Sequence, residues 1–86
     1  MSAYILDGAM MDTKERAHQH LQRQLGFPAY YGKNLDAMYD CLTDMTGEIR
    51  LYHTTALRRG LQGYGEKLLR ALKDARSDRL NIVLED

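Results

Sequence analysis

The chain has 86 residues, 44% of them hydrophobic, which gives room for one domain over residues 1-86 with one modest core and excludes a second. Twelve basic residues balance twelve acidic ones, so the global cationic field that announces a nucleic-acid binder is absent. No stretch reaches the ~18 apolar residues of a membrane span, no basic-then-apolar leader opens the chain, and the lone Cys41 has no disulfide partner; the expectation is a cytoplasmic protein without membrane contact.

The first β-prone run is Ala3-Tyr-Ile-Leu6, closed by the turn dipeptide Asp7-Gly8. Asp12 and Glu15 have capping-box spacing, with Asp in place of Ser or Thr. Ala17, Leu21 and Leu25 then recur on one face before Gly26, which predicts a first helix. Phe27 to Lys33 holds Pro28, Gly32 and three aromatics, a loop with stacking surface. Asn34 is a good N-cap for a second helix, expected to end near Thr46-Gly47, with Leu35, Met38, Tyr39, Leu42 and Met45 as its apolar stripe. Cys41 is expected in the core.

Glu48 to His53 alternates polar and apolar residues, as a strand with one covered face does. Thr54 or Thr55 caps one helical turn through Arg58, and Gly60, Gly63 and Gly65 read as a flexible connector. Tyr64, Leu68, Leu69, Leu72 and Ala75 keep helical spacing up to Ser77-Asp78. Leu80-Asn-Ile-Val-Leu84 is nearly all apolar, which suits a central or doubly covered strand. Strands separated by helices imply parallel pairing with right-handed crossovers. The predicted fold is α/β, a three-stranded parallel sheet packed by helices.

Charge is uneven along this neutral chain. Residues 1 to 48 hold seven carboxylates against four cations, net minus three, and the remainder is plus three. Helical spacing stacks Asp36, Asp40 and Asp44 one above another. Asp36 suits the positive end of the helix dipole, but Asp40 and Asp44 do not, and like charges at i, i+4 cost roughly 0.2 to 0.5 kcal/mol per pair. The stripe therefore asks for a compensating cation from the chain or from a partner. A solvated helix face is the ordinary explanation of such a stripe. A catalytic carboxylate pair is not, because the three lie along one convex face rather than across a cleft.

Tyr30, Tyr31 and Tyr39 flank the acids. One of them is expected to be core packing, while tyrosine also supplies the rigid, amphipathic ring favoured at interface hot spots. His18 and His20, two apart on a helix, lie on different faces and do not share a metal ion. His53 is isolated. Arg70, Lys73, Arg76 and Arg79 form a basic row near the end of the last helix, read as solvated surface. No nucleophile with its base, no dinucleotide fingerprint and no metal-ligand set is present, so neither an enzyme nor a cofactor is expected.

Pro28-Ala-Tyr-Tyr-Gly-Lys-Asn-Leu-Asp-Ala-Met-Tyr-Asp-Cys-Leu-Thr43 closely resembles the signature segment of the barstar family, intracellular inhibitors of a secreted bacterial ribonuclease. The likeness is sharp over about a fifth of the chain and extends to the rest in element order and length. It implies a barstar-like fold and a partner that is a ribonuclease or ribonuclease-like toxin domain, with no enzyme activity in the inhibitor, a monomer when free. By motif position, Asp40 resembles the central phosphate mimic and Asp36 a second acidic contact. Tyr30, Tyr31, Gly32, Asn34, Leu35 and Tyr39 resemble the surrounding surface, which continues at Asp44. Lys33 stands where the family carries an acid, Tyr39 where it carries tryptophan and Met45 where it carries an aromatic. The basic last helix also lacks an acidic supplement. A barstar-like module with a non-nuclease partner is the alternative. Direct RNA binding through Tyr30, Tyr31 and the basic row is opposed by the acidic stripe beside those rings.

Overall fold

The structure, a computed structural model, describes residues 2–86. Strand β1 (Ala3–Asp7) leads through a short 3-10 turn (Gly8–Met10) to helix α1 (Lys14–Leu25) and helix α2 (Leu35–Thr43). Strand β2 (Gly47–Tyr52), helices α3 (Thr54–Leu61) and α4 (Gly63–Asp74) and strand β3 (Leu80–Leu84) complete the chain. The sheet is wholly parallel in the order β1-β2-β3, with Leu6 opposite Leu51 and Ile49 opposite Ile82. This is the α/β arrangement of three parallel strands and packed helices that the pattern predicts.

Two crossovers of the same hand that step across the sheet in one direction bring all their helices to the same side. The burial pattern agrees. Leu6, Ile49, Leu51, Leu80 and Ile82 lie in the core with Leu21, Met38, Leu42, Leu57, Leu68 and Leu72. The aligned row Ile5, Arg50 and Val83 faces the other way, and Ile5 is 51% exposed. On that open face Arg50 pairs with Glu48 at 2.8 Å and with Glu85 at 3.4 Å. The alternating strand β2 is thus the central one, and the nearly all-apolar β3 is an edge, the reverse of the doubly covered position its composition suggests.

Element ends differ from expectation where tertiary contacts compete. Thr13, not Asp12, caps α1, its hydroxyl accepting from the Arg16 N–H at 3.1 Å while the Asp12 carboxylate pairs with the Arg16 guanidinium at 2.6 Å. Helix α2 stops at Thr43, short of Thr46-Gly47, because the chain must turn into the central strand. There the Gly47 N–H reaches the Arg79 carbonyl and the Glu48 N–H the Ser2 carbonyl. Helix α4 stops at Asp74, and the Ser77 hydroxyl accepts from the Arg79 and Leu80 N–H groups to start β3.

The Gly60 to Gly65 segment is no loose connector. Helix α3 runs for eight residues, with His53 rather than Thr54 or Thr55 at its N-cap, and only Gln62 separates it from α4. A Cβ on Gly60 would come within 2.5 Å of the Asp12 Cα, so that glycine lets α3 touch the segment ahead of α1. Cys41 lies at the margin of the core, not inside it.

Candidate functional site

The turn between α1 and α2 is built by three local devices. Gly26, left-handed at φ 70°, closes α1. Pro28 then makes a tight turn in which its carbonyl accepts from the Tyr31 N–H at 2.9 Å and from the Gln22 side chain at 2.8 Å. Lys33 takes the left-handed conformation at φ 55°, and Asn34 caps α2 with its Oδ1 accepting from the Ala37 N–H at 2.8 Å.

Neighbouring tyrosines on this turn have opposite fates. Tyr30 is 88% exposed and Tyr31 only 5%. The Tyr31 ring packs on Phe27 with centroids 4.8 Å apart, and its hydroxyl is 2.6 Å from His18 Nδ1. The other ring nitrogen of His18, Nε2, lies 2.6 Å from the Tyr64 hydroxyl on α4. Burial, aided by the Lys33 charge, holds His18 below its ordinary pKa, and burial pushes the Tyr31 phenol up. A neutral imidazole fits both contacts, with one nitrogen accepting a hydroxyl hydrogen bond and the other donating. This bridge pins the loop to α1 and α4.

Helix α2 buries Met38 and Leu42 completely and half-buries Leu35. Asp36, Asp40, Asp44, Gly32 and Asn34 are exposed, as is Tyr39 in part at 38%. Among the described residues, none of the ion pairs involves Asp36, Asp40 or Asp44. Asp44 follows the last helical residue, at the negative end of the α2 dipole. That placement costs about 0.3–1 kcal/mol on top of the like-charge repulsion. Beside Asp40 and Asp44, a shallow recess of about 360 Å³ is walled by Phe27, Pro28, Tyr30 and Met45.

The structure therefore brings Tyr30, Gly32, Asn34, Asp36, Tyr39, Asp40 and Asp44 onto one solvent-facing surface. Leu35 is at its edge, and Tyr31 stands behind it as the tyrosine that packs in the core. His18 and Tyr64, which hold Tyr31, were not readable as a pair. The available signal was that His18 falls with Leu21 and Leu25 at i+3 and i+7, on the apolar face of α1. His20 is structural too, its Nε2 accepting the Asp7 N–H at 3.0 Å. Among the described residues no group of three or more His, Cys, Asp or Glu is placed to hold a metal ion.

Comparison with known proteins matches this arrangement to one family. The family model described as Barstar (barnase inhibitor) matches residues 1–84. The chain is similar to a Bacillus subtilis (strain 168) protein named "Putative ribonuclease inhibitor YrdF", 33% identical over 91 aligned residues that cover 99% of this chain and all of the relative. With the parallel three-stranded sheet, the match over nearly every residue leaves one assignment: the chain belongs to the barstar family.

Proposed function

We propose that the protein inhibits a guanyl-preferring bacterial ribonuclease or a ribonuclease-like toxin domain by covering its active site with the acidic face of α2 and the tyrosine loop before it. Family membership and the relative's name support a ribonuclease-inhibitor role. The observation that carries the contact face is the exposed row Asp36, Asp40 and Asp44, outside every ion pair of the described residues, beside a Tyr30 ring that is 88% exposed.

A site that cleaves RNA must be cationic to bind and stabilise phosphate. A preorganised carboxylate competes for the same field, and long-range attraction speeds encounter. Asp40, midway along the row, takes the central phosphate position. Asp36 and Asp44 extend the contact to either side, while Tyr30, Gly32, Asn34, Leu35 and Tyr39 supply the surrounding surface and Tyr31 fixes the loop from below. The inhibitor acts by steric and electrostatic occlusion without chemistry, as a cytoplasmic monomer that protects its producer in the manner of an immunity protein or antitoxin.

The test is RNA cleavage by a small microbial guanyl-specific ribonuclease with and without the purified protein. Asp40→Ala is expected to weaken inhibition at least about tenfold, the equivalent of about 1.4 kcal/mol. Full inhibition by that variant removes Asp40 from its role. No inhibition by the wild type points instead to a non-nuclease partner.

A further inference from the structure

We propose that the groove between the outer edge of β3 and the ends of α3 and α4 binds an extended acidic peptide segment of a second partner protein. This groove, about 570 Å³, is lined by Arg58, Lys73 and Arg76 above a floor containing Ile82 and Leu84, with Asp86 at its mouth. Ile82 is buried and Leu84 half-buried, so the floor is apolar and the wall cationic.

The wall is undercompensated. Arg58 gives its Nε to Glu66 at 3.0 Å, and Arg76 gives its Nε to the Lys73 carbonyl at 3.3 Å. Lys73 and Arg76 are in none of the ion pairs among the described residues. Asp86, the one acid lining the groove, is already held by the Thr54 and Thr55 hydroxyls. Two cations therefore face the groove without a carboxylate of their own.

The floor is an edge strand. The Glu85 N–H points inward to the Leu51 carbonyl, so the alternation along a parallel strand turns the N–H and C=O of Ile82 and Leu84 to the outer side. An added strand pairs with such an edge through its main chain, and alternate side chains give selectivity. Here the side chains turned toward the helices would pass over Ile82 and Leu84 to the cations, and the other set would lie beside Val83 on the open face of the sheet, which asks for acidic residues alternating with apolar ones. Single-stranded nucleic acid would look for aromatic stacking platforms, and no aromatic residue lines this groove.

The test is fluorescence anisotropy with a labelled peptide alternating glutamate and valine, the same peptide with glutamine for glutamate, and an oligouridylate. The glutamate peptide is expected to bind at low salt and to shift the amide resonances of residues 81–84. The glutamine peptide, and the double variant Lys73→Glu/Arg76→Glu, are expected to bind at least about tenfold more weakly. Both variant side chains are exposed, so circular dichroism should show a folded protein; Asp86→Asn, which leaves the cations intact, is expected to tighten binding. Equal binding of the two peptides, no binding, an unchanged double variant, or binding of the oligouridylate alone would overturn the proposal.

Discussion

Replacing Tyr31 by Phe removes one oxygen and almost no volume, which isolates the bridge that pins the tyrosine loop. The ring keeps its contact with Phe27, so no cavity opens. What changes is His18, only 1% exposed, whose Nδ1 loses its partner at 2.6 Å in a place water does not reach. Leaving a buried polar atom unpaired costs about 1–3 kcal/mol, a large share of a small domain's total of about 5–15 kcal/mol. Each kcal/mol lowers the thermal midpoint of a domain this size by about 4–8 °C. Tyr64→Phe is the control, because Tyr64 is partly exposed and water can serve His18 Nε2 instead. Its cost should stay below about 1 kcal/mol, the net worth of an ordinary hydrogen bond. Urea unfolding followed by circular dichroism at pH ~8, above the range in which His18 changes charge in the folded or the unfolded chain, measures the difference. A Tyr31→Phe protein within about 0.5 kcal/mol of wild type, the range of neutral surface changes, would refute the bridge, as would a costlier Tyr64→Phe.

Gly60→Ala separates a packed helix from a loose connector. In a connector it would stabilise by about 0.4–1 kcal/mol, whereas a Cβ 2.5 Å from the Asp12 Cα should cost about 1–3 kcal/mol of overpacking by the same unfolding assay. Asp44→Asn should raise stability by about 0.3–1 kcal/mol by relieving the negative end of α2, while weakening ribonuclease inhibition. Stability should also fall with acid. Burial lowers the pKa of His18 and of His20 in the fold, so below the ordinary value near ~6.5 the unfolded chain takes up protons the native state refuses. The contribution of His18 and His20 is thus complete well above pH ~6.5 and is lost as pH drops below that value. At the alkaline end the raised Tyr31 phenol has the opposite consequence, with stability declining above pH ~10 as the unfolded phenol ionises. Thermal midpoints across both ranges check the two slopes, and His18→Gln should flatten the acid one.

Local chemistry was legible at some element ends and misread at others, where Thr13 rather than Asp12 caps α1 and His53 rather than Thr54 or Thr55 precedes α3. Asn34 caps α2 because its side chain reaches an N–H three residues on, and β2 shows its single covered face by alternation. The order of strands and helices followed from such signals. Helix ends did not, because Gly47 answers to Ser2 and Arg79 rather than to α2. Nor did the position of β3, whose apolar run is explained less by sheet placement than by its burial against the helices on one side.

By itself the amino-acid order determined the three strands, the parallel pairing they imply, the helices α1, α2 and α4, and the stacking of Asp36, Asp40 and Asp44 along one helix, while α3 read as a single turn. These depend on periodicity and capping, which act over a few residues. Only the tertiary structure decided that Tyr30 meets solvent while Tyr31 is buried, that Gly60 is a contact rather than a hinge, and that β3 is an edge strand. Each of those depends on atoms distant in the chain, as the separation of 46 positions between His18 and Tyr64 illustrates, and at these positions burial is a property of the assembled fold.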